Sequence, residues 1–218
     1  MSKKLEEKQR RREAEERRRA AERRAARRRN LVTFGLIALI GVLVVALVMN
    51  ERNKQINPRA ASGDIGVPAD RAGCGDLERP PDLGADHVAD GTNVDYNSQP
   101  PTSGPHYDTP AGAGFYSSPL DPRQVVHNLE HGQIVIWYRL DAPQQVIDDI
   151  EAYVESDDSG VALLGVPYDD IPDEYSFAIT AWGALRYCAQ VSTEVLGEFR
   201  AQFQGKGPEN VGVPPFTG

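Results

Sequence analysis

Leu31–Met49, LVTFGLIALIGVLVVALVM, runs for 19 residues without a charged side chain. At about 1.5 Å of rise per residue, a helix of that length spans roughly 28 Å, close to the hydrocarbon thickness of a bilayer. A helix buried in a domain core is rarely apolar on every face for so long, so the run predicts a single transmembrane helix. A cleaved signal peptide fits poorly. Thirty residues precede the run, the run exceeds the usual apolar core, and Asn50–Gln55 offers no small-residue cleavage site. Ala60–Ser62 is the nearest stretch of small residues.

Charge divides the chain at this run. Of 24 basic and 32 acidic side chains, 14 and 6 fall in residues 1–30, a net of +8. That leaves 10 against 26 for the rest, a net of −16. Basic residues collect on the cytoplasmic side of a span, which predicts a cytoplasmic N-terminus and an acidic domain outside the cytoplasm, at the cell membrane. Residues 1–30 read as a charged helix in which Glu13, Glu15 and Glu16 pair with arginines three or four positions on. Its expected neighbours are anionic lipid headgroups rather than nucleic acid. Residues 50–73, with Asn, Pro, Gly, Ser and Asp and little that packs, read as a linker. Residues 74–218 read as one globular domain.

In an oxidising compartment the two cysteines, Cys74 and Cys188, are predicted to pair as a disulfide. A cysteine-containing metal site is the alternative, although no CxxC spacing is present.

Within the domain, Gln99–Tyr107 cannot be helical, because Pro100, Pro101 and Pro105 remove amide donors and fix the backbone. Val94–Asn97 is predicted as a short strand. Gln133–Leu140, QIVIWYRL, reads as a central strand buried on both faces. Pro143–Ser156 carries Val146, Ile147, Ile150, Tyr153 and Val154 on one helical face. Gly160–Val166 and Tyr175–Tyr187 are predicted as strands, and Thr193–Phe203 as a second amphipathic helix. The class is therefore α+β: a small sheet with two amphipathic helices on one face.

All four histidines, His87, His106, His127 and His131, fall within 45 residues of a 218-residue chain. Neutral imidazole is a common metal ligand near pH 7, and several together suit Zn(II) in tetrahedral or Cu(II) in tetragonal geometry. The expectation is a metal site of these four residues supported by Glu130, with sequestration or delivery of the ion as its task. The bland alternative is a structural or interaction module whose histidines only order a loop.

His127–His131 also spells HxxEH, the order of inverted zinc peptidases, which requires both histidines on one helix. Gly132 and the strand behind it predict a tight turn or hairpin edge instead, so an envelope hydrolase ranks below the binding readings. Ser103 lacks an elbow motif around it. Gly205–Glu209, GKGPE, lacks the strand–loop–helix setting of a phosphate loop.

At PPTSGPHY (100–107), GFY (114–116), HNLEHG (127–132) followed by an apolar strand, FAITAWG (177–183) and the closing GPE (207–209), the chain resembles the bacterial family called domain of unknown function 3105. The likeness covers roughly Cys74–Asn210. It implies the layout of a short N-terminal region, one span and an outer domain. The positions that match the signature are His87, Pro101–His106 and His127–Gly132. The family's name assigns no activity, so no catalytic or metal-binding role comes with it.

Overall fold

The computed structural model describes residues 65–209 and 211–217. The basic segment 1–30, the apolar run 31–49 and the linker as far as residue 64 lie outside the described residues. Among the described residues, no helix is long and apolar enough to cross a membrane.

The centre of the domain is β2, Ile134–Tyr138, in which every residue is buried. Its β-branched and aromatic side chains suit a strand covered on both sides. Strand β3, Leu163–Pro167, lies parallel to it on one side, and β1, Gly114–Phe115, lies parallel to β3. On the other side β4, Phe177–Ala181, runs antiparallel and continues into β5, Ala184–Cys188. The five-stranded sheet has the order β1-β3-β2-β4-β5. Among the described residues the fold is thus α+β, a mixed sheet with three α-helices.

Alternate residues of β2 point to opposite faces. Ile134, Ile136 and Tyr138 pack with α2, Gln144–Glu155, through Val146, Ile150, Tyr153 and Val154. The same core takes in Val195, Leu196, Phe199 and Phe203 of α3, Thr193–Phe203, where the hydroxyl of Ser192 caps the helix. Val135 and Trp137 face the other way, toward Leu164, Val166, Ala178 and Leu185 and toward Val125 and Leu129 of α1, Pro122–Glu130.

Helix α1 corrects two expectations. It covers the opposite face from α2 and α3, so the helices are three rather than two and do not share one face. It also occupies the segment expected to be a turn. Asp121 caps the helix, its carboxylate accepting from the Arg123 amide at 3.0 Å, and Pro122 fills the first position, where a missing N–H costs nothing. The helix then ends at His131, and Gly132, at φ +82°, turns the chain directly into β2.

Three smaller readings also change. Val94–Asn97 forms no strand. The predicted strand Tyr175–Tyr187 is a hairpin, β4 and β5, joined by Trp182–Gly183. Strand β3 begins only at Leu163.

The packed unit starts earlier than position 74. Ile65 and Ala72 are buried in the first core, and residues 69–71 form a single 3-10 turn. The Val67 amide donates to Val191 O at 2.8 Å, and Glu78 exchanges two backbone bonds with Leu185. Cys74 and Cys188 are bonded, S–S 2.01 Å, across 114 positions of sequence, which disposes of a cysteine-containing metal site. Residues 66–78 thereby cover the outer edge of β5, which would otherwise present unpaired backbone groups.

Candidate metal centre

Helix α1 supplies three of the side chains. Residues three and four apart share a helical face, which brings His127, Glu130 and His131 together. His106 comes from the proline-bearing loop, and that loop is held on both sides. Its residues 104 and 106 bond to Gly84 and Asp86, the Val88 amide donates to His106 O at 2.8 Å, and the Tyr107 amide donates to Arg123 O at the start of α1. The bonds at Asp86 and Val88 pair His87 with His106 as a short parallel bridge. The Tyr96 hydroxyl clamps the loop through Pro105 O at 2.8 Å. Rigidity expected from proline alone therefore comes from a hydrogen-bonded double strand as well.

The side chains converge. Ring centroids are 4.9 Å apart for His87 and His106, 5.0 Å for His106 and His127, and 4.4 Å for His127 and His131. Glu130 Oε2 lies 3.0 Å from His106 Nε2, 3.6 Å from His87 Nε2 and 4.0 Å from His127 Nε2. His131 Nε2 stands 2.9 Å from His127 Nε2 and 3.2 Å from Glu209 Oε2.

The tautomers follow from the backbone. His106 Nδ1 faces Gly104 O at 2.9 Å and His127 Nδ1 faces Tyr107 O at 2.6 Å. A carbonyl oxygen only accepts, so both Nδ1 atoms carry the proton and donate it. In the neutral rings both Nε2 atoms then present lone pairs toward Glu130, the orientation by which backbone carbonyls fix metal-binding histidines. Burial pushes His127 below the ordinary histidine value; the Tyr107 carbonyl opposes this, and neighbouring His131 and His106 add to it. Its ring is accordingly neutral near pH 7, as a ligand must be.

Lone pairs facing lone pairs repel unless a proton or a cation lies between them. Ligands at roughly 2.0–2.1 Å from a zinc ion form a tetrahedron with edges of about 3.3 Å. The separations of 3.0 and 3.6 Å at Glu130 bracket that edge. Among the described residues, two groups of four side chains have ligand atoms close enough to hold a metal: His87, His106, His127 and Glu130, and His127, Glu130, His131 and Glu209. All five residues expected from the sequence are thus brought to one place.

Glu209 was not foreseen as a site residue. It arrives on the GKGPE loop, whose resemblance to a phosphate loop was superficial. The loop docks on the end of α1 and satisfies carbonyls that a helix terminus leaves open. Glu209 N donates to Glu130 O at 3.1 Å, and Gly205 N donates to Gly132 O at 2.8 Å. The fit leaves no room at Gly207, where a Cβ would stand 2.0 Å from Glu130 O and 2.4 Å from Gly132 N. Gly207→Ala is expected to lift the loop, to remove Glu209 from His131 and to destabilise by about 1–3 kcal/mol, as overpacking does. An unchanged melting temperature in that variant would refute the docking.

Helix α1 also gives HxxEH the helical setting the sequence argued against. Glu130, however, sits among the imidazoles at ligand distance rather than apart from them. Ser103 is buried, and its hydroxyl accepts from the Leu83 amide at 3.0 Å.

No curated protein and no solved structure matches the chain. A family model described as a protein of unknown function (DUF3105) matches residues 87–213, a span that opens on His87 and takes in Glu209.

Proposed function

The chain belongs to the DUF3105 family, and from that premise we propose that it is a membrane-anchored protein whose domain outside the cytoplasm binds Zn(II) or Cu(II). The observation that carries this is the pair of backbone-fixed imidazoles: His106 and His127 each give Nδ1–H to a carbonyl and turn Nε2 toward Glu130. His87 and His131 complete the imidazoles. The set holds nitrogen and carboxylate oxygen but no sulfur, which favours Zn(II) and Cu(II) over Cu(I). An acidic domain raises the local concentration of cations.

The anchor is supported by the apolar run Leu31–Met49 behind 14 basic side chains, which also suit anionic lipid headgroups. A disulfide is at home in an oxidising space outside the cytoplasm. The role that fits is sequestration of the ion or its delivery to a partner.

Elemental analysis of the full-length chain in detergent, after loading and exhaustive dialysis, tests the proposal. Wild type is expected to retain Zn(II) or Cu(II), and His127→Ala with His131→Ala to lose it, with circular dichroism unchanged. Equal, negligible metal in both proteins would leave the histidines as a means of ordering a loop, the interaction-module reading.

A further inference from the structure

The centre holds more ligands than one ion can use. A metal with ligands at roughly 2.1 Å keeps even opposite ones within about 4.2 Å of each other. The six side chains make two sets of four, and no one set takes in all six. His87 and His106 belong to the first, His131 and Glu209 to the second, and His127 and Glu130 to both. We propose that the centre is dinuclear, with one divalent cation on His87, His106, His127 and Glu130 and a second on Glu130, His131 and Glu209. The inference rests on the metal-binding reading above and adds a second position to it.

The shared residues divide naturally. With Nδ1–H committed to Tyr107 O, His127 has one lone pair left and serves one ion. A carboxylate has two oxygens and about four lone-pair positions, so Glu130 can bridge. Ions joined by such a bridge stand about 3.5–4 Å apart. The 2.9 Å between His127 Nε2 and His131 Nε2 fits ligands on neighbouring ions.

The two positions differ in chemistry. The first has three imidazoles and a carboxylate oxygen, a full tetrahedral set. The second has one imidazole and two carboxylates, is harder, and keeps a coordination position open, as catalytic zinc sites do. Each set reaches the surface through one half-exposed ligand, His87 in the first and Glu209 in the second, but only the second has a coordination position unfilled. Small oxygen-bearing ligands such as water or phosphate would therefore meet the second ion.

The test counts ions. Full-length protein in detergent is loaded with Zn(II), desalted and assayed for zinc per chain, alongside Glu209→Ala, whose half-exposed side chain can be removed without opening the core. The expected result is two ions for wild type and one for Glu209→Ala. Loading with Cu(II) adds a spectroscopic readout: coupled spins should depress the paramagnetic signal of wild type and leave a full single-ion spectrum in the variant. One ion in wild type, or two in Glu209→Ala, overturns the dinuclear centre and leaves the metal-binding reading intact. No ion in wild type overturns that reading itself.

Discussion

Reducing the Cys74–Cys188 bond is expected to destabilise the domain by roughly 4–5 kcal/mol, the chain-entropy value for a closed loop of this length. The bond spans 114 positions, and the loop it closes contains the whole sheet except the last residue of β5. Its effect falls mainly on the unfolded chain, which is far less extended when its ends are joined. Cys188 is fully buried, so Cys188→Ala adds lost packing to lost entropy, whereas reduction isolates the second. Denaturant unfolding of the full-length chain with and without reductant, followed by the fluorescence of buried Trp137, measures the difference. A shift below about 1 kcal/mol would show that residues 66–78 hold to β5 without the covalent link.

Asp157→Ala is expected to cost about 3–5 kcal/mol, because it strands a buried charge. Arg200 Nη2 lies 2.6 Å from Asp157 Oδ1, and both side chains are about 93% buried. The guanidinium also donates from Nε to Gln204 Oε1 at 2.7 Å and lies over the Phe216 ring. Among the described residues, Asp157 is the anion paired with Arg200, so removing the carboxylate leaves the cation unpaired. The pair also sets an acid limit. Burial pushes the Asp157 carboxyl up, but bonds from Ser159, the Ala162 amide and Arg200 outweigh it and hold it below its ordinary value of 3.8. A carboxyl whose folded value lies below its unfolded one contributes fully above the unfolded value and loses that contribution as pH falls toward the folded one. Stability should therefore drop from about pH 5 downward. Denaturant midpoints across that range should show a shallower acid arm for Asp157→Asn than for wild type. Parallel arms would place the acid sensitivity elsewhere.

Sequence pattern reached β2, β3, the segment of the hairpin and two helices because those elements are decided by burial; it did not reach β1. The apolar run of β2 and the one-sided spacing in α2 and α3 are direct prints of where each element meets the core. Helix α1 failed the same test for a functional reason. His127 and Glu130 face the site and Asn128 bonds to Ala111 and Gln133, so only Val125, Val126 and Leu129 remain to mark a stripe. The legible signal was Asp121–Pro122, a cap followed by a first-turn proline, and it lay outside the five residues that drew attention. In the hairpin, FAITAWGALRYC is apolar almost throughout, and one glycine was the only punctuation.

The site divides in the same way. Four histidines in a short window announced themselves by rarity. Glu209 lies 79 positions beyond Glu130 and reaches the site through backbone bonds of a glycine-rich loop, which leave no periodicity. Proximity of that kind is written in the tertiary fold alone.

The bonding of residues 66–78 to β5 has a mechanical consequence. Force applied at residue 65 does not reach the sheet as a pull on a loose end. Gly66 is paired with Ser192 and Val67 with Val191, so the first few residues peel one bond at a time. Peeling then stops at Cys74, where the covalent bond hands the load to β5, and bonds at Gly75 and Glu78 beyond it are shielded. The nine residues ahead of Cys74 set the extension at roughly 30 Å. The domain is thus built to give by a fixed length and then hold, with the histidine cluster on the protected side of the stop.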